Sequence, residues 1–451
     1  MKNVEKFNEY IQLVKDEYNA VGIAVSIFDL EKDLFKSFIG TRDGEKPIDG
    51  DTIFGVASIT KSFTALAILK LYEEGIIDIY DNIDNYIEGL NIRKEQMPKI
   101  YHLLSHTGGF LPQKRLLIKN AIRELNIKES KNIHRNIDIQ KYGIEKIVEQ
   151  LNNNKEFTGL PGQYMSYSND GYGLLTEIIR KYGGENSYVD YIKKNIINPL
   201  GLKNTFFDFN RANNEKNIAN LYKQNNGEVE RTKDFMELGY ILMGGGGLKS
   251  SVNDLKKYTR MFIREDEIII SKKHLQEMLI PKAGYKPLQY YGYGLITGFL
   301  DDISYAGHSG GLPGVSSFFG FSKDINKGIV VLCNTSGVPS TSIGISGLRM
   351  SNNRDANTNY VDYKDCIWDK ELINNTIGTY SCDEGICIDI FKEGNTIKFR
   401  EYDKISEIRT VQNNLILVKN KLEWNTVRIL RNKENISYAI YVGSRLLLKR
   451  S

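Results

Sequence analysis

The sequence has few of the residues that build structural metal sites. Only four cysteines occur in 451 residues, Cys333, Cys366, Cys382 and Cys387, and their spacing is not that of a zinc site. The five histidines do not cluster with them. Cys382 and Cys387 could close a hairpin, but we expect unpaired thiols in a reducing compartment. We expect no metal and no cofactor.

Excess charge of one sign and long apolar runs are also missing. The 60 basic and 56 acidic residues leave a net charge of +4, which does not form the basic footprint of a nucleic-acid-binding protein. No apolar run is long enough for a signal peptide or a membrane span. We therefore expect no nucleic-acid partner, no transmembrane segment and a cytoplasmic location, or export only if a signal has been removed.

The length and the pattern of the chain indicate two domains. Residues 1–336 are assigned to a large α/β (α+β) domain, because a predicted helix over 3–18 is followed by predicted strands over 21–29 and 34–39. Residues 337–363, rich in Ser, Asn, Thr and Gly, predict a linker. Residues 364–451 contain short predicted strands about ten residues apart, which favours a small antiparallel barrel or sandwich.

A serine and a lysine stand one helical turn apart at the start of an Ala- and Leu-rich segment. Ser58 is followed by Lys61 in Ser-x-x-Lys, so both side chains lie on one helix face. A serine hydroxyl needs a neighbouring base to become a nucleophile, and the helix N-terminus favours a developing anion. An N-cap serine beside a solvated lysine is the structural alternative.

Two later phrases supply further polar groups. Tyr167-x-Asn169 lies in a loop ahead of a predicted helix and offers a phenol that can relay protons and an amide that can bind a carbonyl or the lysine. His308-Ser309-Gly310 lies in a predicted strand. Glycine at 310 and 311 lets a ligand approach the backbone amides.

Three other features have structural interpretations. His102 and His106 have the i, i+4 spacing of zinc ligands, but without an intervening Glu or a third ligand they are interpreted as packing and hydrogen-bonding residues. The glycine run 244–247 lacks the Gly-Lys-Ser/Thr ending of a phosphate loop and indicates close backbone packing. The polar, basic segment 113–156 is either a lid over a cleft or a solvated face.

In content, order and spacing, the Ser58, Tyr167 and His308 motifs resemble the serine β-lactamase-related superfamily, in the branch with class C β-lactamases, penicillin-binding proteins, D-aminopeptidases and esterases. The resemblance covers about residues 5 to 336, and further matching phrases are His102 through Thr107, Tyr167 through Leu175, Asn198-Pro199-Leu200-Gly201, Gly246-Gly247-Leu248 with Asp254-Leu255, and Gly307 through Ser317. It implies an antiparallel sheet flanked by helices with a helical lobe. The C-terminal strands are similar to the lipocalin-like module of some of these peptidases.

The resemblance also implies roles for individual residues. Ser58 would be the nucleophile, and Lys61 and Tyr167 would share the role of base. Asn169 would orient the substrate and Lys61, while the backbone amides of Ser58 and Gly311 would form the oxyanion hole. The substrate-binding set would be Asn169, His308, Ser309 and Gly310.

One departure from the family pattern affects the expected substrate. His308 occupies the place of the lysine in Lys-Thr-Gly, and a histidine is only partly charged near neutrality. The leading hypothesis is therefore a serine hydrolase that cleaves amide or ester bonds of small or D-amino-acid-containing peptides. The alternatives are a penicillin-binding D,D-carboxypeptidase or weak β-lactamase, and a non-catalytic sensor or assembling protein. A homo-oligomer is compatible with each.

Overall fold

A computed structural model describes residues 3–92, 96–128, 133–225, 228–232, 234–235, 239, 241–356, 361–394 and 396–450. The helices in these ranges are α1 Val4–Glu17, α2 Thr60–Glu73, α3 Ile100–Leu104, α4 Ile118–Glu124, α5 Ile137–Asn153, α6 Asn169–Tyr182, α7 Tyr188–Ile192, α8 Phe209–Asn214, α9 Val252–Arg264, α10 Lys272–Leu279, α11 Ser340–Ser351 and α12 Lys370–Thr376. Among the described residues, no helix combines the length and the hydropathy needed to cross a membrane.

The described strands are β1 Gly22–Phe28, β2 Asp33–Gly40, β3 Ile53–Gly55, β4 Tyr222–Asn225, β5 Glu228–Arg231, β6 Lys249–Ser251, β7 Ala283–Lys286, β8 Gln289–Tyr291, β9 Ile296–Leu300, β10 Ile303–Leu312, β11 Val315–Ser322, β12 Lys327–Cys333, β13 Gly378–Ser381, β14 Cys387–Glu393, β15 Thr396–Glu401, β16 Lys404–Ser406, β17 Ile408–Gln412, β18 Leu415–Asn420, β19 Glu423–Arg431, β20 Ser437–Val442 and β21 Arg445–Lys449. The predicted helix over 3–18 and strands over 21–29 and 34–39 correspond to α1, β1 and β2.

An antiparallel sheet in the order β2-β1-β12-β11-β10-β9-β8-β7 forms the centre of the larger part of the molecule. Alternate residues of its central strands enter different cores, as the two-residue period of a strand requires. In β12, Val331 joins the core under α1 and α11, whereas Val330 and Leu332 join the core that contains α2 and α9. Helices therefore cover both faces, which is the predicted α+β architecture.

Helix α2 is the buried centre of this second core. Its apolar and small residues are buried around its whole circumference, as in a helix enclosed on all sides. It packs against α6 and α7 of the helical lobe. Lys61, in its first turn, is also buried, with 0% exposure. The packing thus buries a lysine side chain in the protein interior.

The C-terminal strands form a second antiparallel sheet in the order β16-β15-β14-β13-β21-β20-β19-β18-β17. The sheet curls until β15 approaches β17, so it is barrel-like and nearly closed. Ile388, Ile416, Ile440 and Leu447 fill its interior with 0% exposure. This agrees with the small antiparallel barrel predicted from the strand spacing.

The predicted linker over 337–363 is wrong for part of its length. Ser340–Ser351 forms helix α11, which packs on β11 and β12. Its small residues allow the helix to approach the sheet closely: a side chain at Gly344 would collide with Phe318, and one at Gly347 with Ile329. Because Ser and Gly give no apolar periodicity, the sequence does not indicate the buried face of this helix. Residues 357–360 of the predicted linker lie outside the described residues.

The two sheets meet through an apolar cluster beside the candidate site. Met165 and Tyr167 of the larger part pack with Leu430, Tyr441 and Leu446 of the C-terminal sheet. The backbone N–H of Tyr167 also donates to the Ser444 carbonyl at 2.9 Å. The barrel-like sheet therefore contacts the residue to which the resemblance assigns a share of the base role.

Candidate active site

Ser58 lies in a short 3₁₀ turn, Ala57–Ile59, between β3 and α2. The preceding Ala57 has a φ of +45°, in the left-handed region that costs an L-residue about 1–2 kcal/mol. The turn is fastened by Thr60, whose hydroxyl donates to the Ala57 carbonyl at 2.6 Å and accepts from the Leu248 N–H at 3.1 Å. Ser58 is half-buried and opens into a cavity of about 1150 Å³.

Lys61 is hydrogen-bonded to three oxygen atoms. Its Nζ lies 3.3 Å from Ser58 Oγ, 2.9 Å from Asn169 Oδ1 and 2.5 Å from the Gly245 carbonyl. A neutral amine has two N–H groups and one lone pair. In the neutral form the amide and carbonyl oxygens, which can only accept, take the two N–H groups and the lone pair is left for the Ser58 hydroxyl, whereas the ammonium form donates to all three oxygens.

The environment of Lys61 favours this neutral form. Burial lowers the pKa of Lys61 well below its usual value, and the nearby Arg445 lowers it further, while Glu384 opposes the shift. The glycine run 244–247, predicted only as a region of close packing, thus also supplies a carbonyl acceptor to the lysine.

Tyr167 and Asn169 approach Lys61 from the start of α6, as the Tyr-x-Asn phrase predicts. Lys61 Nζ lies 4.8 Å from the centre of the Tyr167 ring. The Tyr167 side chain is 6% exposed and lines the same cavity as Ser58. Asn169 contacts Lys61 through Oδ1 and donates from Nδ2 to Glu384 Oε1 at 3.1 Å.

His308 is a neutral residue in this structure. It is 1% exposed, and burial together with Lys61 lowers its pKa to about 3. Its Nδ1 lies 2.6 Å from the Ser309 carbonyl and must carry the proton, since the carbonyl can only accept. Nε2 therefore accepts from the Tyr291 hydroxyl at 2.8 Å. The partial charge expected from the sequence is absent at neutral pH.

Strand β10 passes directly beside the Ser58 turn. A Cβ at Gly310 would lie 2.2 Å from the Val56 carbonyl, so only glycine permits this approach. Ser317 on the neighbouring strand donates to the same carbonyl at 2.9 Å. His308, Ser309, Gly310 and Gly311 line the cavity together with Ser58. Asn169, the remaining residue of the predicted substrate-binding set, contacts Lys61 and Glu384.

His102 and His106 have the structural roles predicted from the sequence. His102 Nδ1 accepts the Lys99 N–H at 2.9 Å, and His106 Nδ1 accepts the Ser168 N–H at 3.1 Å. The His106 ring packs 4.2 Å from that of Tyr167. In the described ranges, no three His, Cys, Asp or Glu side chains come together as a metal site would need.

Sequence reasoning missed a charged cluster at the site. Glu384, between β13 and β14, accepts from Arg115 Nε at 3.0 Å and from Arg445 Nε at 2.9 Å. Burial raises the pKa of Glu384, but the two guanidiniums outweigh it and hold that pKa below its usual value. Arg115 comes from the segment 113–156 and Arg445 from β21. No local pattern marks these residues, because their contacts span up to 269 positions of the chain.

A comparison with known proteins identifies the family. The Beta-lactamase family model matches residues 4–344. The chain belongs to the β-lactamase family. This confirms the resemblance drawn from the sequence motifs.

Curated relatives of this β-lactamase-family protein match it in part. Penicillin-binding protein 4* of Bacillus subtilis (strain 168) is 27% identical over 304 residues, which cover 64% of this chain and 62% of that protein. The mitochondrial serine beta-lactamase-like protein LACTB of Homo sapiens is 24% identical over 332 residues, which cover 61% of this chain and 59% of that protein. The chain thus spans less than two thirds of the length of each.

A solved structure matches the β-lactamase-family protein over its whole length. The octameric penicillin-binding protein homologue from Pyrococcus abyssi is 26% identical, with a TM-score of 0.70 and 100% of both chains covered. A D-stereospecific amidohydrolase from Streptomyces sp., at 21% identity and a TM-score of 0.60, covers 76% of this chain and 97% of its own. At this identity the second likeness shows the fold.

Proposed function

We propose that the protein is a serine hydrolase that cleaves amide or ester bonds through an acyl-enzyme on Ser58. The single observation that carries the proposal is the arrangement around Lys61 Nζ, which lies 3.3 Å from Ser58 Oγ with its other two polar contacts on oxygens that can only accept. Burial lowers the pKa of Lys61, and in its neutral form this amine is placed to take the serine proton.

In the proposed first step, Ser58 Oγ attacks the substrate carbonyl carbon as its proton passes to Lys61, with Tyr167 sharing the transfer. The new C–O bond forms while the carbonyl π electrons move to its oxygen. Backbone amides of Ser58 and Gly311 stabilise that oxyanion. The bond to the leaving amine or alcohol then breaks, and the leaving group takes the proton from the base.

In the second step, water replaces the leaving group. The base removes a proton from water, the hydroxide adds to the acyl carbon, and the bond to Ser58 breaks with return of the proton to its Oγ. Asn169 keeps Lys61 in place during both steps through its Oδ1. The proposed substrates are small peptides and D-amino-acid amides, the class favoured when histidine replaces the lysine of Lys-Thr-Gly.

Intact-mass spectrometry tests the nucleophile. Wild type, Ser58→Ala and Lys61→Met are incubated with a panel of β-lactams and with the neutral p-nitroanilides of N-acetyl-D-alanine and N-acetyl-L-alanine. We expect an acyl adduct or p-nitroaniline release with wild type only, and faster release from the D enantiomer. Turnover retained by a folded Ser58→Ala variant would reject the mechanism.

We also propose that the protein forms a homo-oligomer. The support is the end-to-end alignment with the octameric homologue from Pyrococcus abyssi. Light scattering coupled to size-exclusion chromatography tests it: a mass several times 51.5 kDa is expected, and a monomer at micromolar concentration would contradict the proposal.

A further inference from the structure

His106 binds the backbone on both sides of Tyr167. Its carbonyl accepts the Ser166 N–H at 2.8 Å, and its Nδ1 accepts the Ser168 N–H at 3.1 Å. The centre of its ring lies 4.2 Å from that of the Tyr167 ring. The N–H of Tyr167 itself donates to the Ser444 carbonyl at 2.9 Å. Three consecutive backbone donors are therefore engaged, two of them by one histidine.

The conformation and the tautomer of His106 are both fixed. Its φ is +56°, in the left-handed region where asparagine, aspartate and histidine are enriched. Because Nδ1 accepts from Ser168, that nitrogen carries no proton, and the proton of the neutral ring is on Nε2. Burial lowers the pKa of His106 well below its usual value, and Lys61, His308 and Arg445 lower it further. The imidazole therefore stays neutral near pH 7 and keeps its bond to Ser168.

Aromatic rings surround the imidazole of His106. The residue is 2% exposed, and among the described residues its Nε2 has no hydrogen-bond partner. The ring centres of Tyr167, Tyr172 and Tyr291 lie 4.2, 4.9 and 4.6 Å away. A buried donor without a polar acceptor costs free energy, so apolar packing alone does not account for a histidine here. What the histidine adds is its bond to Ser168 and its contact with the Tyr167 ring.

We propose that His106 is a positioning residue that holds Tyr167 where its phenol shares the proton transfer between Ser58 and Lys61. The proposal rests on the proposed function and adds a residue that acts through Tyr167. Lys61 Nζ lies 4.8 Å from the centre of the same tyrosine ring. A phenol relays a proton only within hydrogen-bond reach of its partners, and a displacement of about 1 Å costs up to about 100-fold in rate. Binding both flanking amides and the ring limits such a displacement.

Two substitutions separate the contacts of the His106 side chain. In His106→Asn, the new side chain suits the left-handed φ and its Oδ1 can accept the Ser168 N–H, but the ring is lost; His106→Ala removes both contacts. With the p-nitroanilide of N-acetyl-D-alanine, we expect kcat to fall about tenfold or more in His106→Ala and less in His106→Asn. Because the loss concerns proton transfer and not substrate binding, KM should change less than about twofold.

A double-mutant cycle with Tyr167→Phe shows whether the histidine acts through the phenol. Once the hydroxyl is gone its position no longer matters, so His106→Ala should lower kcat less than about twofold in the Tyr167→Phe background. A purely structural role predicts the same fold-loss in both backgrounds. That result would overturn the positioning role and leave the serine mechanism in place, as would an unchanged kcat in Tyr167→Phe alone.

His102→Ala is the matched control. The Nδ1 of His102 also accepts a backbone N–H, from Lys99 at 2.9 Å, but its ring packs against Tyr101. In each variant kcat is referred to the fraction of protein that a fluorophosphonate modifies to completion, measured by intact mass. We expect His102→Ala to lower stability with kcat per active subunit unchanged, and an equal loss in His102→Ala and His106→Ala would overturn the positioning role. A wild type without turnover or adduct would overturn the hydrolase itself.

Discussion

Glu384 accepts a hydrogen bond from the side-chain amide of Asn169 at 3.1 Å. Because Asn169 Oδ1 in turn accepts from Lys61, this bond fixes which end of the amide faces the lysine. Glu384 lies in the connection between β13 and β14 of the C-terminal sheet, whereas Asn169 and Lys61 belong to the β-lactamase-like part. The barrel-like sheet is therefore a structural component of the candidate active site.

Removing the negative charge of Glu384 and removing the positive charge of Arg445 should shift the pKa of Lys61 in opposite directions. Glu384 raises the pKa of Lys61 and Arg445 lowers it. If Lys61 must be neutral to act, Glu384→Gln moves the acid limb of the pH profile of kcat/KM to lower pH, and Arg445→Gln moves it to higher pH. The measurement is a pH–rate profile with the neutral p-nitroanilide of N-acetyl-D-alanine. Shifts of the same sign in both variants would contradict a Lys61 base.

The substitution Glu384→Ala should lower kcat more than Glu384→Gln does. Glutamine retains an oxygen that can accept from Asn169, whereas alanine leaves that amide without this partner. A hydrogen bond of about 1–2 kcal/mol corresponds to a loss of roughly tenfold in kcat. Steady-state kinetics of the two variants measures the difference, with near-ultraviolet circular dichroism as the control for folding. Equal kcat values would remove the positioning role of Glu384.

Folding stability should fall on acidification because His308 is neutral when folded. Its folded pKa is about 3, below the value of about 6.5 in an unfolded chain. Below pH 6.5 the unfolded state binds the proton and the folded state does not, so stability is complete above 6.5 and is lost as the pH falls toward 3. The loss is up to about 1.4 kcal/mol per pH unit.

Urea unfolding at pH 7.5, 6.5 and 5.5 measures this dependence. His308→Gln keeps a donor and an acceptor but cannot titrate, so its stability should fall less steeply than that of wild type between pH 6.5 and 5.5. Burial lowers the pKa of His106 as well, so part of the slope should remain in the variant. An equal fall of the free energy of unfolding between pH 6.5 and 5.5 in wild type and His308→Gln would show that His308 is not the neutral residue described above.

Two adjacent glycines of β10, Gly310 and Gly311, should differ sharply in their tolerance of a methyl group. A Cβ at Gly310 would lie 2.2 Å from the Val56 carbonyl, whereas at Gly311 nothing lies within 4 Å. Gly310→Ala must push the strand away from the Ser58 turn, at a cost of about 1–3 kcal/mol. Thermal unfolding of Gly310→Ala and Gly311→Ala measures this. A melting temperature lowered equally in both would contradict the close approach.

Docking of the C-terminal sheet should depend on apolar packing more than on surface charge. Leu446 has 0% exposure in the cluster that contains Tyr167, so Leu446→Ala should cost about 2–5 kcal/mol. Arg450 pairs with Glu156 at a partly exposed site, and Arg450→Ala should cost less than about 1 kcal/mol. Urea unfolding measures the loss of unfolding free energy in the two variants. A larger loss for Arg450→Ala than for Leu446→Ala would contradict this prediction.

The residues of the candidate site that the sequence revealed are those with local patterns. Ser58 and Lys61 are one helical turn apart, and Tyr167 and Asn169 lie at a helix start. Local geometry and the order of the motifs were therefore enough to predict them. The C-terminal barrel could be predicted in the same way, because strand spacing is a short-range signal. The helix Ser340–Ser351 could not be predicted, because its buried face is made of small residues.

The sequence by itself determined the family, the two sheets and the proposed serine, lysine, tyrosine and asparagine. Only the tertiary structure decided that His308 is neutral and that Arg115, Glu384 and Arg445 meet beside Tyr167. The physical reason is that a pKa depends on burial and neighbouring charges, and that ion pairs between residues as far apart as 115 and 384 leave no periodic trace in the chain.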